Sequence, residues 1–482
     1  MTTPFKFAAL FVLPLVLAGC KTNSADGFSD VQKTVSSRTG QAIQWPRTPA
    51  ESEKVAAVVA QALQSNLTAD TSVQIALVNN RALRATLEEI GISRSDLLQA
   101  GLLRNPQFAA SFRFPDRPPS ATDTDFSLTA DFFDLLLLPL RKKVATLQFE
   151  QTKMRVSHEI LQLAAEAKTA FYTVQARQQL LTRLQAIMGV NEAAVDLSTR
   201  QYQAGNITDL ELANQQVSFQ EAKLEGARTQ AQLQVDREHL NRLLGLWGAN
   251  TQWQVDDQLP PLPEQEVNFQ NLESLAVEQR LDLAVAKDRV ALAGRALSLR
   301  TNTRYLPTTI NLGVDTERTP DRQRVTGPTL DLELPIFDRG QGAIARLQAQ
   351  YRQAQWQVEA LATDIRSEVR QARDTLIAAR DLTEFYRKLY LPQRIRIVNE
   401  TLLQYNAMQK GTFELIAAKE RELNAEREYT EAWRDYWIAR AALEQALGGK
   451  LPGPTTAAAS PTMPMPSPDK KENTQNQPDH QP

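Results

Sequence analysis

Between Arg141 and Leu259 the chain contains no proline, and there is none between Ile336 and Leu391. In the first stretch apolar residues recur at Ile160, Ala164, Ala167, Phe171, Val174, Leu181 and Met188, with Gln178 and Gln185 completing the register. The second shows Ile365, Val369, Ala372, Leu376 and Ala379. Both follow the four-three spacing of a coiled-coil seam. A helix from Arg141 to about Gln203 is ~95 Å long at 1.5 Å per residue. Globular domains rarely hold such a helix, so the chain is constrained to an elongated body, and alanine on the seam permits close helix approach.

The chain also repeats itself, with a period of about 200 residues that is too long for a solenoid unit. Val78-Asn79-Asn80-Arg81-Ala82-Leu83-Arg84-Ala85 pairs with Val277-Glu278-Gln279-Arg280-Leu281-Asp282-Leu283-Ala284. Asn105-Pro106 pairs with Leu306-Pro307, and Leu138-Pro139-Leu140 with Leu334-Pro335-Ile336. Tyr202, Glu211 and Leu212 pair without a gap with Tyr405, Glu414 and Leu415. This predicts one helix–hairpin–long-helix-pair module used twice, over residues 67–262 and 263–450. Gly189 and Pro392 then occupy matching places, where each long helix is expected to be interrupted. Residues 451–482 hold 8 of the 25 prolines and read as a disordered Pro-rich tail.

Composition excludes several functions. Lys+Arg 54 against Asp+Glu 56 gives a net charge of −2, without the basic excess that phosphate contacts need. Three histidines, His158, His239 and His480, are too scattered for a zinc centre, and a single cysteine allows no intrachain disulfide. Gly340-Gln341-Gly342-Ala343-Ile344-Ala345 matches a dinucleotide-binding outline, but the strand before it alternates where a buried parallel strand is apolar throughout. No catalytic constellation and no cofactor site emerge, so the chain reads as a non-enzyme. The mean hydropathy is −0.38, and no apolar run beyond residue 20 reaches the ~18 residues of a spanning helix.

The first twenty residues differ. Lys6 precedes an apolar stretch from Phe7 to Leu17, an export signal over residues 1–19. Leu17-Ala18-Gly19-Cys20 resembles a bacterial lipoprotein cleavage box, in which the cysteine becomes the acylated first residue. Lys21 in the following position favours the outer membrane in such lipoproteins.

Between the helices of each repeat lies a segment with period two. Phe108, Ala110, Phe112 and Phe114 alternate with Gln107, Ala109, Ser111 and Arg113; Phe126, Leu128, Ala130 and Phe132 alternate with Asp125, Ser127, Thr129 and Asp131. The second repeat alternates Ile310, Leu312 and Val314 with Asn311, Gly313 and Asp315, and Leu330, Leu332 and Leu334 with Asp331 and Glu333. Turns are expected over Pro115–Thr124 and Glu317–Gly327. These are either amphipathic hairpins on a soluble core or strands of a transmembrane barrel. Four strands cannot close around a channel, and an open edge in lipid is forbidden, so a barrel requires several copies of the chain.

Over residues 67–448 the pattern resembles the TolC-like outer-membrane efflux proteins. The resemblance rests on Leu67-Thr68-Ala69-Asp70 at the helix start, on Asn105-Pro106, on Leu334-Pro335-Ile336-Phe337-Asp338-Arg339-Gly340, and on Tyr202…Glu211-Leu212 with Tyr405…Glu414-Leu415. It implies a mainly α fold with a small β part: a homotrimer in which four strands per chain form a twelve-stranded outer-membrane barrel, continued by an α-helical coiled-coil periplasmic tunnel. Residues 20–66 would then be an N-terminal periplasmic segment and the protein a lipid-anchored outer-membrane channel, with outer-membrane lipid around it and lipid on Cys20. The implied partners are a periplasmic adaptor (membrane fusion protein) and an inner-membrane RND- or ABC-type pump. Distal turns fall at Gly205, Glu211 and Leu212 and at Gly411, Glu414 and Leu415, where relatives meet the adaptor and acidic residues help hold the entrance shut. Tyr405 to Gly411 is longer than Tyr202 to Gly205, which leaves the register of the second turn open.

The expected function is a passive gated conduit of a tripartite efflux system. The alternatives are the outer-membrane component of a type I protein secretion system or a non-conducting coiled-coil envelope lipoprotein. The expected lumen charges are Asp125, Asp131, Asp315, Asp331 and Glu333 against Arg113, −4 per chain, which favours cations. Acylation is checked by fatty-acid labelling: Cys20→Ser should abolish it, and retained label would refute the assignment.

Overall fold

The computed structural model describes residues 27–114, 116–117, 122–307, 309–319 and 321–452. The export signal, Cys20 and the tail from 453 onward lie outside the described residues.

Two short helices, α1 (Phe28–Thr39) and α2 (Pro49–Ala62), precede the repeats. The first repeat runs α3 (Ala69–Asn79), α4 (Arg81–Ala100), β1 (Gln107–Arg113), β2 (Asp123–Asp131), α5 (Phe132–Gln203) and α6 (Asp209–Leu244). The second runs α7 (Leu272–Gln279), α8 (Leu281–Asn302), β3 (Ile310–Arg318), β4 (Arg324–Leu332), α9 (Gln341–Phe385), a π-helical turn (Tyr386–Tyr390), α10 (Leu391–Asn406) and α11 (Thr412–Ala446). All four strands form one antiparallel sheet in the order β1-β2-β3-β4. Among the described residues no helix is long and apolar enough to cross a membrane.

The duplication is visible in the backbone. Each repeat opens with two helices separated by one extended residue, Asn80 (φ −62°, ψ 122°) in the first and Arg280 (φ −65°, ψ 124°) in the second. Each closes its last helix with a left-handed glycine, Gly245 (φ 68°) and Gly448 (φ 74°). A Cβ on Gly245 would stand 2.7 Å from the Asn79 carbonyl oxygen, so both conformation and space require glycine. The two junctions are secured by different chemistry. Asn80 Oδ1 accepts the Leu83 amide at 2.9 Å and its Nδ2 donates to the Leu243 carbonyl at 2.8 Å. Arg280 instead pairs with Asp282 at 2.6 Å and with Glu368.

The first seam is followed by the core at Ile160, Ala164, Ala167, Phe171, Val174 and Leu181, all buried. It then departs from the strict heptad. Gln178 and Met188 are half-buried and Gln185 is exposed, while Leu180, Leu184 and Ile187 are buried instead. A straight helix drifts ~20° per heptad against a 3.5-residue repeat, so the buried stripe moves onto neighbouring positions. In the second repeat Ile365, Val369 and Leu376 are buried against Tyr436, Ala439 and Leu443 of α11.

Two expectations about helix breaks are corrected. Gly189 lies inside α5, which is uninterrupted for 72 residues. Pro392 does not break its helix either: the π turn immediately before it widens the backbone, and helical geometry continues into α10. A proline inside a helix lacks a donor and clashes with the carbonyl four residues back; the wider turn absorbs that conflict. Pro139 also differs from its repeat mate. It lies within α5, whereas Pro335 sits in the irregular segment before α9. Asp131 caps the start of α5 by accepting the Asp134 amide at 3.1 Å, and Asp134 pairs with Arg141 at 2.6 Å across the proline turn.

The segment joining the repeats straps three long helices together. Gln175 of α5 donates to the Asp256 and Gln258 carbonyls at 3.2 and 2.8 Å. Trp433 and Trp437 of α11 both donate to the Pro260 carbonyl, at 2.8 and 2.9 Å. Glu266 then receives Arg380 of α9 at 2.9 Å, Arg440 of α11 at 3.0 Å and the Tyr436 hydroxyl. Burial and the hydrogen bond to Glu266 push the Tyr436 phenol well above its ordinary value.

Asn80→Ala removes the partners of the Leu83 amide and the Leu243 carbonyl, a loss of about 2 kcal/mol. The thermal midpoint in detergent should fall by a few degrees. Asn66→Ala, which removes only an exposed bond to Asp256, should leave it nearly unchanged.

Candidate functional site

The strand register sorts side chains onto two faces. Phe108↔Leu128, Ala110↔Phe126, Leu128↔Val314, Ala130↔Leu312, Leu312↔Leu330 and Ile310↔Leu332 face one way. The Phe126 ring meets Phe108 at 6.2 Å and Phe112 at 5.7 Å on that face. It is bare: Phe108 is 68% exposed, Leu330 59% and Val314 54%. A contiguous apolar face of this kind marks an interaction surface rather than a solvated one.

The opposite face is acidic. Arg113↔Asp123, Asp125↔Glu317, Ser127↔Asp315 and Asn311↔Asp331 are its cross-strand pairs. Asp123 is partnered by Arg113 at 3.4 Å, and Asp315 accepts the Thr329 hydroxyl at 3.0 Å. Asp125 stands directly opposite Glu317, a like-charge pair that destabilises a sheet in isolation. Asp123 and Glu317, expected in turns, are strand residues on this face. The strands extend further: β2 starts at Asp123, β3 runs to Arg318 and β4 starts at Arg324, so the second hairpin loop is only residues 319–323. Continued alternation through Asp123-Asp125 and Asp315-Glu317 was the available signal.

Other expected positions shift at the helix-proximal end. Asp131 is the last residue of β2 but serves as the α5 cap and lies 3.6 Å from Arg104, so its charge is largely answered. Phe132 belongs to α5. Glu333 and Leu334 lie beyond β4, where Glu333 accepts the Thr309 hydroxyl at 3.4 Å. Phe114 lies just past β1.

The two distal turns share one geometry, which resolves the register of the second. After α5, Gly205 (φ 71°) donates its amide to the Tyr202 carbonyl and Asn206 to that of Gln201, each at 2.9 Å. After α10, Met408 (φ 56°) donates to Tyr405 and Gln409 to Gln404, again at 2.9 Å. Met408 therefore takes the place of Gly205, and Gly411 takes that of Thr208, the residue before α6. Glu211 Oε2 accepts the Thr208 amide at 2.7 Å and its hydroxyl at 2.9 Å. Glu414 Oε2 accepts the Gly411 amide at 3.0 Å, and Lys410 lies 3.4 Å from its other oxygen. Both acids reach back to cap their own helix. These backbone bonds, foremost, hold both carboxyls below their ordinary value. Leu212 and Leu415 donate their amides back to Thr208 and Gly411.

The first of the dinucleotide-like glycines has a local explanation. Gly340 (φ 74°) starts α9, and a Cβ there would collide with the Arg300 guanidinium at 2.6 Å. Among the described residues no group of three or more His, Cys, Asp or Glu side chains is arranged to hold a metal ion.

No family model matches the chain. It is 21% identical over 392 residues to the cobalt-zinc-cadmium resistance protein CzcC of Cupriavidus metallidurans, covering 79% of this chain and 90% of that protein. Among solved structures it is similar to CusC, described in terms of transmembrane channel formation, with a TM-score of 0.65 and 17% identity over 80% of this chain and 93% of that one. It is also similar to the outer membrane protein VceC of Vibrio cholerae, with a TM-score of 0.64 and 14% identity over 82% and 96% of the two chains.

A methionine in the left-handed region costs about 1 kcal/mol relative to glycine. Met408→Gly should slow amide exchange at the second turn roughly fivefold, and Gly205→Met should speed it at the first. Because both carboxyls titrate below their unfolded values, their capping is present at neutral pH and is lost as pH falls through those lowered values. Acid should therefore fray both turns, and Glu211→Ala with Glu414→Ala should fray them at neutral pH.

Proposed function

We propose that this chain, which has the TolC-like outer-membrane channel fold, is the passive outer-membrane conduit of a tripartite efflux system. The observation that supports this most is the sheet. One of its faces is bare and apolar, the other is acidic, and its β1 and β4 edges carry unpaired ladder groups. Three of the four strands have nine residues and β1 has seven, so three reach the lower bound of the ~9–11 of a tilted barrel strand. Three copies joined edge to edge give twelve strands, place the apolar face toward lipid and enclose the acidic face around a watery lumen. The helices then continue as a periplasmic tunnel, with acyl chains on Cys20 as a second attachment.

In this reading a periplasmic adaptor docks at the turns Gly205–Leu212 and Gly411–Leu415, and an inner-membrane pump supplies the energy. Glu414, tied to Gly411 and Lys410, and Glu211, tied to Thr208, keep the turns compact until docking competes for them. Five carboxylates, Asp123, Asp125, Asp315, Glu317 and Asp331, against Arg113 on the inner face favour cationic cargo. Divalent metal ions fit that charge, as does the name of the relative CzcC.

Planar-bilayer recordings of the reconstituted protein test the reading. The expected channel passes potassium in preference to chloride, and Asp125→Asn with Glu317→Gln reduces that preference. Anion selectivity overturns the cation assignment. Absence of any current, even with Glu211→Gln and Glu414→Gln, overturns the conduit in favour of a non-conducting envelope tether.

A further inference from the structure

We propose that the rim where the sheet meets the helices is a collar for the phosphate headgroups of anionic phospholipid, in the leaflet facing the helical body. The inference rests on the barrel reading above.

The antiparallel register brings the start of β1, the end of β2, the start of β3 and the end of β4 to one end of the sheet. The segments just beyond them are 102–106, 132–143, 303–307 and 333–341. Contacts tie the first two together: Arg141 donates to the Leu102 carbonyl at 3.0 Å, and Arg104 lies 3.7 Å from Asp134.

Two properties coincide on this rim. First, the apolar band of the strands continues onto it: Phe337 is 93% exposed, Ile336 and Leu334 60%, Leu102 57% and Leu103 56%. Second, the rim is basic in an acidic chain. Its four segments, with Asp131 beside them, hold six cations against four carboxylates, while the whole chain is net −2. Arg104 and Arg141 are committed to Asp131 and Asp134. Asp338 accepts the Gly340 amide at the start of α9. Arg304 stacks on Tyr305 at 4.4 Å. Lys142, Lys143 and Arg339 are exposed and have no ion-pair partner among the described residues.

Exposed apolar groups beside unpaired cations match an interface in which acyl chains end and phosphates begin. Lysine and arginine bury their stems along the apolar surface and keep their charge at headgroup depth. A zwitterionic headgroup offers each cation a phosphate already answered by its own amine. An anionic phospholipid leaves that phosphate free. Each cation beside an anionic surface is worth roughly fivefold in binding, and the attraction weakens as salt shortens the Debye length.

The test is electron spin resonance on the full-length protein reconstituted in bilayers, using spin-labelled phosphatidylglycerol and spin-labelled phosphatidylcholine. The expected result is a motionally restricted shell that takes up phosphatidylglycerol severalfold more than phosphatidylcholine. That preference should fall toward unity in the triple variant Lys142→Gln, Lys143→Gln, Arg339→Gln and in ~1 M salt. Equal uptake of the two lipids by the unaltered protein overturns the collar and leaves the barrel standing. An undiminished preference in the triple variant overturns the assignment to these residues. If neither lipid shows a restricted shell, the barrel reading itself fails, and the collar with it.

Discussion

A β-sheet that is apolar on one side, acidic on the other and open at both edges has no stable resting place in one chain. Water disfavours its apolar face, and lipid cannot solvate the unpaired backbone of β1 and β4. The opposed Asp125 and Glu317 add a local repulsion that a hydrated lumen screens better than a packed core would. The arrangement makes sense once the edges are satisfied by further copies and the two faces see different solvents.

The helical body has its own internal constraint. The strap between the repeats engages α5 through Gln175, α11 through Trp433 and Trp437, and α9 through Arg380. Glu266 gathers two guanidiniums and a phenol into one partly buried cluster, and such a cluster is costly to open because each group loses a charged partner. Beyond the strap, toward the turns, α10 has only Thr401 buried. The light packing is confined to α10: over the same stretch α5 keeps Asn191, Ala194 and Ser198 buried, and α11 keeps Ala418, Glu422 and Leu423 buried.

Much of this was legible in the sequence because it obeys short periods. Proline-free heptads announced the long helices, alternation announced the strands, and the duplication announced two copies of each. Legibility failed where two local rules competed. At Asp123 and Glu317, polar and turn-favouring residues concealed continued strands. At Gln178 and Gln185 a strict heptad was extended past the point where helix drift moves the buried stripe. At the second distal turn the unequal tyrosine-to-glycine spacing leaves the register open, and the fold resolves it: Met408 takes the left-handed conformation and Gly411 precedes the next helix.

The periodicities and the imbalance of charge between the two sides of the strands are local patterns along the chain, and the duplication is a likeness of one stretch of chain to another, so all three can be read without the fold. Which carboxylates share a face is set by the fold, since it depends on register across strands more than 180 residues apart, as at Asp125 and Glu317. The fold likewise decided that Pro392 and Gly189 leave their helices continuous, because a π turn in one repeat and plain α geometry in the other absorb what sequence rules treat as breaks. The gathering of Arg380, Tyr436 and Arg440 around Glu266 is a long-range event of the same kind, with no local pattern to announce it.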